Sequence, residues 1–328
     1  MRRKKILFTS SLNSTFIQED IRLLQKHYDV TPLNTLGPGA FFKILVRIRS
    51  HDVTFTWFAS VYAFLTVLLS RIFGKNALIV AGGADAAKLP EIPYGIWVSP
   101  WRTPLVRYAV RHAWHVLAVD PSLQSGLARL AGYDGQNIVY VPTGYDPEKW
   151  KPGGAKERFV LTVAGCEYRW RMKVKGIDVL LDVARSLADV HFVVVGMHEL
   201  LIQETRATIP PNVELIPFIP QSTLLGYYQR AAVYCQPSYT EGLPNSLCEA
   251  MLCECVPVGS NVGGIPTAIA GIGHMVPYGD VPAFASAIRL ALDAPGNTGS
   301  RAREHIARTF TLERRETALR QIVEEATR

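Results

Sequence analysis

Cysteine is scarce in this chain, and its arrangement excludes two common architectures. The five cysteines, Cys166, Cys235, Cys248, Cys253 and Cys255, are odd in number, lie in the second half and form no Cys-x-x-Cys pair. That argues against a disulfide-stapled fold and against a structural zinc site. Buried free thiols in a reducing compartment are the expectation. No Ser/Gly-rich or acidic low-complexity run occurs, and no repeat at solenoid spacing, which excludes linker-rich and repeat architectures. The N-terminal MRRKKILFTSSLNS starts basic, but its apolar run is too short for a secretory signal, so it reads as a first strand. Charged residues make up 19% of the 328 residues and hydrophobic ones 48%. This is a globular composition, long enough for two domains of roughly 150 residues each.

Acidic residues are sparse in the first half. Residues 1–150 hold 17 Lys and Arg against 10 Asp and Glu, whereas 151–328 hold 18 of each. The whole net charge of +7 therefore lies N-terminally. A basic half fits an anionic partner such as a lipid headgroup, a phosphate-bearing acceptor or nucleic acid; plain solubility charge fits equally. Within it, VTFTWFASVYAFLTVLLS (53–70) is 18 residues without a charge, the threshold length for a membrane span. Val53, Phe55 and Trp57 alternate with Thr54, Thr56 and Phe58 before the texture turns helical, which predicts a buried strand followed by a buried helix. The preceding FFKILVRIRS (41–50) interleaves Phe41, Phe42, Ile44, Leu45 and Ile48 with Lys43, Arg47 and Arg49. Such a basic amphipathic helix either lies on an anionic membrane surface or packs its apolar face on the domain.

Strand-like runs recur with helical segments between them. KILFTS, YDVTPL, DVTFTW, ALIVAG, HVLAVD and IVYVPT fill the first half; FVLTVAG, HFVVVG, VELIPF, AAVYCQPS and VPVGS fill the second. This alternation predicts parallel sheets covered on both faces. The Pro-, Gly- and charge-rich PTGYDPEKWKPGGAKER (142–158) reads as the linker between two doubly wound α/β domains facing across a cleft. Ligands of such sheets bind at the carboxyl ends of the strands. The final segment is helical, with Phe310, Leu312, Ala318, Leu319, Ile322 and Val323 forming a partial apolar stripe and Thr311 as a cap.

Two strand-to-helix connections stand out chemically. AAVYCQPS leads through YTEGLPNS into the helix LCEAMLC. A helix N-terminus offers free N–H groups and a positive dipole end to phosphate or sugar oxygens. Gly242 allows close approach, and Pro244, Asn245 and Ser246 suit a helix start. Glu241 is placed in the loop and Glu249 about two turns on, where carboxylates accept hydroxyl hydrogens. Solvated surface glutamates at this spacing are the plain alternative. In VAGCEYRWRMKVKGIDVLLDVARSL (163–187) a strand ends at Gly165, and Arg169, Arg171, Lys173 and Lys175 follow before Gly176 opens a helix. Four cations in such a loop suit a diphosphate.

EGLPNSLCE (241–249) resembles the E-x7-E signature of retaining glycosyltransferases of the GT-B fold, close to family 4. The similarity extends over KGIDVLL (175–181), VVVG (193–196), VPVGSNVGGIPTAI and the interdomain YVPTGYDPEKWKP. It implies an N-terminal acceptor-binding Rossmann-like domain (1–148), a C-terminal nucleotide-sugar donor domain (149–308) and a last helix (about 309–328) packed back on the first. By this resemblance Glu249 binds the ribose hydroxyls and Glu241 the donor sugar, with the backbone of Gly242, Leu243, Pro244 and Asn245, and Ser246, beside sugar or diphosphate. Lys175 and an arginine, Arg169 first and Arg171 second by counting back, hold the diphosphate. Gly165 and Gly196 line the donor site, and Phe218 and Ile219 hold the base. The family's usual N-terminal glycine loop is here FTSSLNSTF, where Ser10, Ser11 and Asn13 are the substitutes. Where the family often has a histidine, VAGGADAAKLPEIPYG (80–95) offers Asp85, either to position the acceptor hydroxyl or accept its proton, or as a turn residue. His112 and His115 read as packing or surface residues.

The activity implied is transfer of a hexosyl group from a UDP- or GDP-linked sugar to an acceptor hydroxyl, with retention, in glycan, polysaccharide or glycolipid biosynthesis. No Asp-x-Asp triplet exists, and the basic loop takes over the work of a divalent metal, so no metal and no cofactor are expected. The expected partners are a glycan, lipid-linked or small-molecule acceptor and an anionic membrane surface, at a cytoplasmic location that includes the inner membrane face. No nucleic-acid-binding module is recognisable. A GT-B sugar epimerase and a non-catalytic nucleotide-sugar binder are the rival readings.

Overall fold

The long apolar runs of the sequence become the central strands of two sheets. The computed structural model describes residues 2–35, 37 and 39–328. Strands β1 (Lys5–Ser10), β2 (Asp29–Asn34), β3 (Val53–Trp57), β4 (Asn76–Ala81), β5 (His115–Ala118) and β6 (Ile138–Tyr140) form the first sheet, in the order β2-β1-β3-β4-β5-β6. Strands β7 (Glu157–Cys166), β8 (His191–Met197), β9 (Val213–Pro217), β10 (Ala231–Gln236), β11 (Val256–Ser260) and β12 (His274–Val276) form the second, ordered β12-β11-β10-β7-β8-β9. All pairings are parallel. Every residue of β3 and of β11 is buried, as strands covered on both faces require.

The stretch 53–70 divides into β3 and the helix Val61–Ile72, whose Ser60 caps its start by accepting from the Ala63 N–H. Among the described residues, no helix is long and apolar enough to cross a membrane. The segment 41–50 is the helix Ala40–Ile48, with Ala40, Ile44 and Ile48 buried. Eleven of the twelve strands coincide with the apolar runs of the sequence. The one without a counterpart, β12, has three residues at a sheet edge, too few to establish an alternation.

Two compact units result. One comprises the residues up to Gly144 with Leu312–Arg328, the other Tyr145–Thr311. The boundaries expected from the sequence lie after 148 and near 308. Within the first unit, the terminal helix Leu312–Ala326 is anchored by a buried ion pair. Arg315 donates to both carboxylate oxygens of Asp20 (3.0 and 2.6 Å) and to the Val141 carbonyl (2.7 Å). The Trp57 indole N–H also donates to Asp20, at 2.8 Å. The five cysteines are all buried and free.

Candidate functional site

Strand order marks the place in the second sheet where a ligand can enter. The chain runs outward through β7, β8 and β9, then returns as β10 on the other side of β7. Connections leaving β7 and β10 therefore diverge from one point at the carboxyl edge, the place where open α/β sheets take their ligands. Both chemically distinctive segments of the sequence start at this point.

After β7, residues Arg169–Val174 form a short helix, a correction to the loop expected from its cations. Lys175 caps it, donating its N–H to the Arg171 carbonyl (2.9 Å), and Gly176 follows at φ +65° before the helix Ile177–Ser186. A β-carbon on Gly176 would lie 1.8 Å from the Pro237 carbonyl oxygen. Glycine is thus required for the β7 connection to lie against the β10 connection.

After β10, the loop 237–244 is held from both sides. The Tyr239 N–H donates to the Val174 carbonyl (2.9 Å) and the Gly264 N–H to the Gly242 carbonyl (3.0 Å), while the Ser260 hydroxyl donates to the Ser238 carbonyl. Gly263 (φ +54°) also has no room for a side chain, since its β-carbon would sit 2.1 Å from the Glu241 carbonyl oxygen. Pro244 then opens the helix Asn245–Leu252 and supplies no side-chain cap, and the start of a helix is where backbone N–H groups concentrate.

Glu241 is where these connections meet. Its Oε1 accepts from Lys175 Nζ (2.7 Å), Ser238 Oγ (2.8 Å) and Gln236 Nε2 (3.1 Å). The Lys175 and Glu241 side chains are 21% and 12% exposed, so the pair is only partly hydrated. Among the described residues, Glu241 Oε2 accepts nothing and remains available. Beneath lies a buried network that the sequence reading missed. Gln236 Nε2 donates to Ser238 Oγ (2.7 Å), and the Tyr234 hydroxyl donates to Gln236 Oε1 (3.0 Å) and shares a hydrogen bond with the Ser246 hydroxyl (2.8 Å). Its one sequence signal was a glutamine ending an otherwise apolar strand. Buried side-chain amides persist only with partners, so Gln236 had to face polar neighbours.

Glu249 lies on the helix Asn245–Leu252, where its Oε2 accepts from Tyr228 OH (3.1 Å). Burial pushes its carboxyl up to about 7, against smaller opposing effects of the Tyr228 hydroxyl and the Lys149 charge. Asn245 Oδ1 accepts from Tyr145 OH (2.8 Å); Leu243 is buried. Of the arginines, Arg169 is exposed without an ion pair among the described residues, and Arg171 is half-buried. Burial raises the Cys166 thiol to about 11, while Lys175 and then Arg171 pull it down, so these two cations share one neighbourhood. Gly165 and Gly196 adjoin at the carboxyl ends of β7 and β8, where the strand register shifts. At φ +103°, a β-carbon on Gly196 would come within 3.0 Å of the Ala164 carbonyl. Phe218, directly after β9, is 83% exposed, and Ile219 is half-buried.

In the first unit, Ser10 Oγ donates to the Leu12 carbonyl (2.9 Å) and accepts the Leu12 N–H (3.1 Å), closing the turn after β1. Asn13 Oδ1 accepts from Gln18 Nε2 (2.7 Å), and Ser11 is half-buried. Asp85 lies in the turn after β4. It is 3% exposed, and its carboxylate accepts the N–H groups of Gly83 (2.8 Å), Gly82 (3.0 Å) and Ala59 (3.0 Å). Those bonds hold the loops after β3 and β4 together. Among the described residues no cluster of three or more His, Cys, Asp or Glu side chains could hold a metal ion.

The family model for group 1 glycosyl transferases matches residues 158–294. D-inositol 3-phosphate glycosyltransferase 2 of Catenulispora acidiphila is 30% identical over 215 residues, which are 56% of this chain and 50% of that protein. Alpha-maltose-1-phosphate synthase of Mycobacterium tuberculosis is 30% identical over 270 residues, 74% of this chain and 67% of that protein. The chain thus spans between half and two thirds of the length of these relatives. Among solved structures, Anabaena HepE in complex with UDP-glucose superposes with a TM-score of 0.77 at 16% identity, covering 98% of this chain and 99% of that one. That likeness is one of fold.

Proposed function

Because the chain belongs to the group 1 glycosyl transferases, with their GT-B fold, we propose that it moves a hexosyl group from a nucleoside-diphosphate sugar to an acceptor hydroxyl, with retention and without a metal. The observation that carries this reading is the 2.7 Å contact of Lys175 Nζ with Glu241 Oε1, at the switch point of the second sheet. In the proposed reaction, Lys175 and Arg171 neutralise the diphosphate and the negative charge that grows on it as the glycosidic bond breaks. Arg171 replaces Arg169 in this role because it shares the surroundings of Lys175. The open Oε2 of Glu241 accepts a sugar hydroxyl, the first-turn N–H groups of Asn245 and Ser246 face the diphosphate, and Phe218 offers the base an aromatic face. Glu249 accepts the ribose hydroxyls. UDP is the first nucleotide to test, since the HepE structure carries UDP-glucose. The acceptor is a glycan, a small molecule or a lipid-linked hydroxyl compound.

Calorimetric titration with UDP and GDP tests the site. Binding of one nucleotide, weakened by about 1–3 kcal/mol in Glu249→Ala, is the expected result; no binding of either by the wild type would remove the basis of the proposal. Turnover undiminished by EDTA is expected for the metal-independent route. Release of nucleotide only when acceptor is present separates a transferase from an epimerase or a silent binder.

The Glu249 carboxyl adds a pH dependence. With its value near 7 in the free protein, the group is protonated below neutrality, yet it must be ionised to accept two ribose hydroxyls. Nucleotide affinity should fall about tenfold from about pH 8 to about pH 6. Glu249→Gln should bind weakly and without that part of the slope, which separates it from titration of the nucleotide's own phosphate. Stability has the opposite dependence. A carboxyl raised on folding stabilises the fold fully only below its unfolded value, and that contribution is lost as the pH rises through about 7. Thermal melting at pH 8 should therefore show Glu249→Gln more stable than wild type.

A further inference from the structure

We propose that the outward face of the helix Ala40–Ile48, continued by the end of the helix Val61–Ile72, docks on an anionic phospholipid bilayer. The inner face of the first helix is already committed, with Ala40, Ile44 and Ile48 buried and Ile44 and Ile48 in a core cluster with Leu7, Leu33 and Leu69. Its outer ridge is left with apolar side chains that the fold does not use. Phe42 is 67% exposed and Val46 74%; one turn apart, they line up with Arg49, while Lys43 and Arg47 flank them, all three cations exposed. Phe41, 38% exposed, meets Phe42 edge to face at 5.4 Å.

The surface continues onto the second helix. The Arg49 guanidinium lies over the Phe73 ring at 4.8 Å, which brings the ends of the two helices together. Ile72 there is 64% exposed beside an exposed Arg71.

Charge decides the occupant. Between Val30 and Ala84 the chain has five cations, Lys43, Arg47, Arg49, Arg71 and Lys75, and one acid, Asp52. Asp52 is engaged by Arg2 at 2.7 Å and by the Lys5 N–H at 2.8 Å. Aromatic and aliphatic side chains between cations that form no ion pair among the described residues match the layered chemistry of a bilayer surface, where apolar groups enter the acyl boundary and cations stay with the headgroup phosphates. A nucleic acid would use the cations and leave Phe42 and Val46 in water; a bilayer uses both. The proposal does not depend on the transferase reading, because docking requires no nucleotide.

Co-sedimentation of the full chain with vesicles tests it. Phosphatidylcholine mixed with phosphatidylglycerol should retain the protein, and phosphatidylcholine alone should not. Phe42→Ser combined with Val46→Ser should lower the partition coefficient at least about tenfold, and Lys43→Glu with Arg47→Glu should do the same. These side chains are exposed, so melting temperature and UDP or GDP binding should be unaltered, which keeps the outcome distinct from failure of the donor site. Three results would overturn the proposal: no retention of the wild type on anionic vesicles, retention lost with the charge variant yet unaffected by the apolar one, or duplex DNA displacing the protein from vesicles at equal charge.

Discussion

Replacing Lys175 with alanine is expected to lower nucleotide-releasing turnover about 100- to 1,000-fold, the scale set by loss of one preorganised group that meets charge developing in a transition state. The position concentrates two effects. Among the described residues Lys175 supplies the one cation bonded to Glu241 (2.7 Å), at the switch point of the second sheet, and its removal leaves that carboxylate with the neutral donors Ser238 and Gln236. Glu241→Gln separates these contributions. If Lys175 serves the diphosphate, Lys175→Ala should weaken nucleoside diphosphate binding at least about tenfold, as expected for a hydrogen bond to a charged group, and Glu241→Gln should leave that binding nearly unchanged. If Lys175 merely holds Glu241, both variants should have the same small effect on nucleotide affinity and identical turnover. A Lys175→Ala protein within a few-fold of wild type in both measurements would remove Lys175 from the site.

The largest loss of stability is expected at Arg315. Its side chain is 1% exposed and that of Asp20 is 4% exposed, so neither charge has water to fall back on. Removal of one member of a buried pair costs about 3–5 kcal/mol, because the other remains as an uncompensated charge. Arg315→Ala should accordingly shift the urea midpoint of the first unit strongly, read from tryptophan fluorescence, to which Trp57, whose indole bonds the same carboxylate, contributes. Asp20→Ala with Arg315→Met should cost less than the sum of the single changes. Full recovery is not expected, because the Trp57 N–H would then be buried without an acceptor. An Arg315→Ala protein within about 1 kcal/mol of wild type would contradict the pair's role in holding the last helix.

The division between what was legible and what was not follows the range of the interactions. Parallel strands buried on both faces must be apolar at successive positions, and that requirement is local, so eleven strands and the β3–helix nature of 53–70 could be read from the chain. The E-x7-E segment was equally legible, because a strand, a glycine turn and a helix start follow one another in sequence. Which groups these segments meet was not. Lys175 and Glu241 are 66 residues apart, and only the return of β10 beside β7 brings them into contact. Arg169, Arg171, Lys173 and Lys175, alternating with Trp170, Met172 and Val174, read as a basic loop, whereas the backbone of Arg169–Val174 is a short helix. The backbone N–H partners of Asp85, from Ala59, Gly82 and Gly83, were likewise not legible, because they come from the loops after two different strands. Phe42 and Val46 match the pattern of a packed helix face, and only the position of the opposite face, against Leu7, Leu33 and Leu69, shows them to be surplus to the core. By itself the sequence determined the elements and the motif residues, since backbone preference and burial act between near neighbours. Tertiary structure alone decided partners, charge states and exposed faces, since these depend on strand order, which couples residues far apart in the chain.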